Sequence, residues 1–138
     1  MAKRRQQWKQ VERIQAPKVR RRLQISLGLT PSEANKRIEA LSKFLFLASA
    51  NRRPLSPSRT IDETWHVLLA DNCGYEEFCL SRFDAVLAHE AASDRTVTKS
   101  AFQRTASEWR RLFGNADWRQ ASQGGGARCV NCAVGPKG

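Results

Sequence analysis

The sequence contains no run approaching the roughly 18 consecutive apolar residues that a bilayer crossing needs. Its basic start is not followed by the apolar stretch of a secretion signal, and it lacks the Ser richness of an organelle transit peptide. A soluble, cytoplasmic protein is therefore expected. No alternating apolar-polar stretch of useful length predicts a strand, and no internal repeat predicts a solenoid. Catalytic signatures are equally scarce: there is no nucleophile elbow, no two-histidine protease motif and no phosphate-binding loop. Gly124, Gly125 and Gly126 lack the Lys-Ser or Lys-Thr that such a loop requires. Acidic residues are nearly missing from residues 1–22, where Glu12 stands alone. Only four cysteines occur, Cys73, Cys79, Cys129 and Cys132, and without a secretion signal they predict reduced thiols or metal ligands rather than disulfides.

What is present points to one small helical domain. A length of 138 residues suits a single core, and 41% hydrophobic with 27% charged residues lies in the range of folded proteins. The formal charge of +11 is placed unevenly. Lys3, Arg4, Arg5, Lys9, Arg13, Lys18, Arg20, Arg21 and Arg22 crowd the start, while the rest of the chain is nearly balanced. The expected organisation is a basic, partly helical arm over residues 1–29, a helical core over 30–118 and a flexible Gly-rich tail over 119–138.

The arm has apolar residues Trp8, Val11, Ile14, Val19, Leu23 and Leu27 at helical spacing, with a break or kink at Pro17. Either it folds on a partner or it docks onto the core. Its charge suits nucleic acid or another polyanion, with the nine Lys and Arg contacting phosphates. A solvated tail that only aids solubility is the plainer alternative.

The strongest helix signal is Thr30 as N-cap, Pro31 at the first helical position and Glu33 to close a capping box. A core helix is predicted from there to about Ala50. Pro54 and Pro57 mark a loop, Ser58 or Thr60 caps a second helix carrying Ile61, Trp65, Leu68 and Leu69, and Asp71, Asn72 and Gly74 interrupt it. A short helix over residues 75–83 follows, then a last helix capped by Thr98, carrying Phe102, Ala106, Trp109 and Phe113 and stopping at Gly114. Trp65, Trp109 and Phe113 are expected in the core rather than on a platform for bases.

Chemistry concentrates in three pieces: Asp62-Glu63-Thr64-Trp65-His66, Tyr75-Glu76-Glu77-Phe78-Cys79 and His89. Asp62 and His66 stand four apart, on one face of a helix, where a carboxylate can orient an imidazole or both can hold a metal. Cys79 and His89 would complete a set of one carboxylate, two imidazoles and a thiolate, ligand types that suit zinc. The simpler arrangement has Asp62 and His66 hydrogen-bonded to each other or to backbone, and Cys79 packed as a small hydrophobe. Cys129-Val130-Asn131-Cys132 has zinc-knuckle spacing but supplies half a site, so it stands as the alternative metal position.

The Asp-x-x-Trp-His, Tyr-x-x-Phe-Cys and following histidine resemble the pattern of the glycine-rich domain-containing protein-like family. The likeness covers about residues 38–118 and includes the aromatic spacing and Leu-Phe-Gly ending of residues 101–114. The family often has paired histidines where this chain has Ala88-His89, and a Gly-Arg-Phe-like turn at residues 84–86. The resemblance implies a small helical domain and assigns no activity. Three functions remain in view: a non-catalytic module whose arm binds a polyanion, a metal-dependent domain or enzyme, and a protein-protein adaptor.

Overall fold

The computed structural model describes the chain except residues 1, 71–73, 92–93, 128 and 131–138. Its helices are α1 (Ala2–Glu12), α2 (Pro17–Leu27), α3 (Pro31–Ala50), α4 (Arg59–Ala70), α5 (Tyr75–Phe83), α6 (Arg95–Phe113) and α7 (Asn115–Ala121). Two short strands, β1 (Glu90–Ala91) and β2 (Cys129–Val130), pair antiparallel with Glu90 opposite Val130 and Ala91 opposite Cys129. The chain is thus an all-α domain with a two-residue ladder. Among the described residues no helix is long and apolar enough to cross a membrane.

The helix boundaries follow from local chemistry. At α3 the Thr30 hydroxyl accepts from the Glu33 N–H at 3.1 Å, and the Glu33 carboxylate accepts from the Thr30 N–H at 2.9 Å. This reciprocal pair satisfies two of the donors that every helix start leaves open. Ser58 caps α4, its hydroxyl accepting from the Ile61 N–H at 3.2 Å. The cap of α6 is Asp94 rather than Thr98, because the Asp94 carboxylate reaches the Thr96 N–H at 2.8 Å. Thr98 lies inside the helix and donates its hydroxyl back to the Arg95 carbonyl. The predicted interruption after α4 falls largely on residues 71–73, outside the described residues.

The core is built where α3, α4 and α6 meet. Trp65, Trp109, Phe44, Leu41 and Leu45 are fully buried. Phe113 is half-buried and joins the edge of this core. The basic N-terminal segment docks: Val19 and Leu23 of α2 enter the main core, while Trp8 and Val11 of α1 form a smaller cluster with Phe46. Trp8 meets Phe46 and Phe113 edge-on at 5.5 and 5.3 Å. Trp8, Val11, Val19 and Leu23 of the segment therefore turn inward, Ile14 stays exposed, and Lys3, Arg5, Lys9, Arg13, Lys18 and Arg21 are left on the outer side.

The Gly-rich segment after α7 is seated on the core as far as β2. Ser58 and Gly126 form an antiparallel bridge, the Ala127 N–H reaches the Pro57 carbonyl and the Arg59 N–H reaches the Gly125 carbonyl. Gly124 and Gly125 adopt positive φ, +84° and +75°, which lets the chain turn back here without a Cβ penalty. Within the segment that composition reads as a Gly-rich tail from residue 119, the backbone bonds to residues 57–59 hold residues 125–127. Cys132 lies outside the described residues.

Candidate metal centre

Asp62 sits in the first turn of α4, where Ser58 fixes the start of the helix, and His66 lies one turn later. The third member, His89, comes from the extended segment before β1. The indole of Trp65 meets the His89 ring edge-on at a centroid distance of 4.5 Å, so a core residue sets the orientation of the imidazole. His66 and His89 face each other edge-on at the same separation.

Both imidazoles converge on one oxygen of Asp62. His89 Nε2 lies 2.9 Å and His66 Nε2 3.3 Å from Asp62 Oδ1. The possible ligand atoms of Asp62, His66 and His89 lie within 4.8 Å of one another. A further group reaches the same oxygen: the Cys129 thiol donates to Asp62 Oδ1 at 2.7 Å. His89 and Cys129 lie within hydrogen-bond range of this oxygen and match its two lone pairs, and the His66 ring nitrogen is a third polar atom beside it.

The electrostatics match this crowding. Burial pushes the Asp62 carboxyl up, but the hydrogen bonds from His89 and Cys129 and the charges of the two imidazoles outweigh it, holding the group below its ordinary value. The Cys129 thiol is driven the other way by burial and by the adjacent Asp62 carboxylate. His89 and Asp62 are mostly shielded, with side chains 12% and 23% exposed, whereas His66 is 59% exposed. Asp62 and His66 line an open groove with Ser26, Arg59, Glu63, Val67 and Ala70.

The structure sorts the sequence candidates by position. Asp62, His66 and His89 come together, and Cys79 does not join them. Cys79 is fully buried on α5, with Tyr75 and the Leu87 backbone as polar neighbours, and burial pushes its thiol up. Its helical spacing with Phe78 turns it into the core, where it packs as the small hydrophobe that the sequence also allowed. Cys129 takes the position beside Asp62 instead, brought there by the β1–β2 pairing. Of the tail pair, Cys129 therefore shares the location of Asp62, His66 and His89, and Cys132 lies outside the described residues.

The arm residues divide in a similar way. Lys3, Arg5, Lys9, Arg13, Lys18 and Arg21 are exposed. Arg4 is half-buried, its guanidinium 4.0 Å from the Phe46 ring centroid and bonded to the Phe46 carbonyl at 3.1 Å. Arg20 and Arg22 are also half-buried. Sequence reasoning named no role for Arg82, which ties α5 to the α1–α2 link by donating to the Ile14 carbonyl at 3.1 Å. No known family model, curated protein or solved structure matches this chain.

Proposed function

We propose that this protein is a metal-binding helical domain, with a divalent transition ion, zinc by ligand type, held by Asp62, His66 and His89. The observation that supports it is the convergence of both imidazole Nε2 atoms and the Cys129 thiol on Asp62 Oδ1. A cation seated among them would be shared by the carboxylate and both imidazoles, whose possible ligand atoms already lie within 4.8 Å of one another. Two imidazoles and a carboxylate suit zinc and also match the three-ligand set used by non-haem iron. The likeness to the glycine-rich domain-containing protein-like family runs through Asp62, Trp65, His66 and His89 and adds no activity to this reading.

Metal content of the full chain, purified under reducing conditions, tests it against a His66→Ala/His89→Ala variant. About one equivalent in the parent chain and none in the variant is expected. No bound metal in the parent, with no thermal stabilisation on adding zinc, would sink the reading.

A second reading rests on a separate observation. Lys3, Arg5, Lys9 and Arg13 of the first segment and Lys18 and Arg21 of the second stay exposed although their helices dock. We infer that this basic surface binds a polyanion such as nucleic acid through its phosphates, without strong sequence preference. An affinity that does not fall with salt would rule this out. A protein-protein adaptor, the third function, has no comparable observation behind it.

A further inference from the structure

We propose that the Cys129 thiolate is the fourth ligand of this centre, so that a bound ion fastens the C-terminal segment to α4 and closes the coordination sphere. This rests on the metal-binding reading above and goes beyond it, since a three-ligand site is open and a four-ligand site is structural.

The placement of Cys129 is over-determined. In the ladder it stands opposite Ala91, two residues beyond His89, so the pairing of β1 with β2 delivers an imidazole and a thiol to the same end of α4. The Ser56 hydroxyl lies 2.8 Å from the Cys129 carbonyl, and Ser56 is itself fully buried. With the Ser58–Gly126 bridge and the Ala127 N–H to the Pro57 carbonyl, the segment is anchored on the loop that starts α4. Cys129 is 4% exposed, yet its sulfur is turned to Asp62 Oδ1 rather than into the apolar core.

The thiol touches Asp62 and is not one of the three groups that already cluster within 4.8 Å. Ligation therefore requires the sulfur to swing toward the imidazoles. Four ligands at about 2.0–2.3 Å from a tetrahedral ion stand somewhat farther apart than hydrogen-bonded neighbours, so the cluster would open slightly as the ion enters. The S–H bond breaks, a sulfur–metal bond forms, and the proton leaves to solvent; no electron is transferred. The completed sphere of Asp62, His66, His89 and Cys129 leaves no position for a substrate.

Cobalt(II) titration of the full chain under reducing conditions tests this, because a tetrahedral cobalt site absorbs visibly and a thiolate ligand adds a charge-transfer band in the near ultraviolet. The parent chain and the Cys79→Ser and Cys132→Ser variants should show both features at one equivalent. Cys129→Ser should lose the charge-transfer band and bind about tenfold more weakly, or worse. A band that survives in Cys129→Ser, or a weak octahedral spectrum without one in the parent, overturns the fourth ligand while leaving a three-ligand metal site. No cobalt bound overturns both. Should Cys129→Ser fold poorly, the spectra of the other chains decide: a charge-transfer band that persists in the parent, Cys79→Ser and Cys132→Ser supports Cys129 as the ligand, and loss of the band in Cys79→Ser or Cys132→Ser overturns it.

Discussion

Lys43 and Asp117 join two helices that are distant in sequence: the ammonium of a nearly buried lysine on α3 meets the carboxylate of α7 at 2.7 Å. The other carboxylate oxygen of Asp117 accepts from Trp109 Nε1, also at 2.7 Å. Asp117 thus serves a core indole and a shielded cation together. Asp117→Ala should cost about 2–3 kcal/mol, since it leaves both donors without this partner. Lys43→Met should cost less, because it removes the charge along with its need for a counterion. Urea denaturation of both variants measures the difference, and equal losses would contradict it.

The capping box makes a pH prediction. The Glu33 carboxyl lies below its ordinary value because the Thr30 backbone N–H and side chain favour its charged form. A depressed folded-state pKa means the stabilisation is present above the unfolded pKa and disappears as pH falls through the folded one. Glu33→Gln should therefore flatten part of the acid limb of a stability–pH curve and change little near neutrality. Thr30→Ala, which removes the reciprocal acceptor, should lose about 1 kcal/mol at pH 7. Thermal melts between pH 2 and 7 would check both.

Docking of α1 depends on one aromatic residue. Trp8 is 6% exposed, packs on Phe46 and Phe113 and donates to Glu12 at 3.1 Å. Trp8→Ala should cost about 3 kcal/mol or more if α1 unfolds with the rest, or release α1 alone if it opens separately. Hydrogen exchange distinguishes these, showing either global loss of protection or loss confined to residues 2–12. Unchanged protection in α1 would refute its anchoring role.

Replacing exposed Lys3, Arg5, Lys9 and Arg13 with Gln should weaken binding to a duplex oligonucleotide and make it less sensitive to salt, by a slope of about 0.9 for each phosphate that is no longer neutralised. The same variant should bind zinc as the parent does, because the basic surface and the Asp62 cluster draw on different residues. Fluorescence anisotropy at several salt concentrations measures the first effect, and metal analysis the second.

Much of the fold was legible because its signals are local. Thr30, Pro31 and Glu33 announced α3, Ser58 or Thr60 announced α4, with Ser58 taking the cap, and the spacing of Trp65 and Trp109 placed both in the core. Thr98 misled because a threonine can cap a helix or bond its own preceding turn, and only the backbone path chooses; Asp94, four residues earlier, takes the cap. In the candidate centre Asp62 and His66 were readable from helical periodicity alone. Cys79 looked like their companion because it lies near them in sequence, whereas Cys129 reaches Asp62 through the return of a Gly-rich segment. That return rests on backbone bonds from residues 57–59 and on the hydroxyls of Ser56, Ser58 and Thr60, which donate to carbonyls of residues 121–129 and whose long-range partners no local spacing announces. Gly124 and Gly125 were visible, but composition does not reveal whether positive φ serves a free tail or a turn.

The members of the Asp62 cluster are widely spaced along the chain, and the last of them arrives only when β2 has crossed back to β1. During synthesis, a nascent chain that has emerged only through α6 holds Asp62, His66 and His89 but lacks the strand that brings Cys129. Completion of the cluster thus waits for β2. An ion seated there would report that β2 has returned to β1, and a product truncated before Cys129 would betray itself by failing to hold an ion in the same geometry.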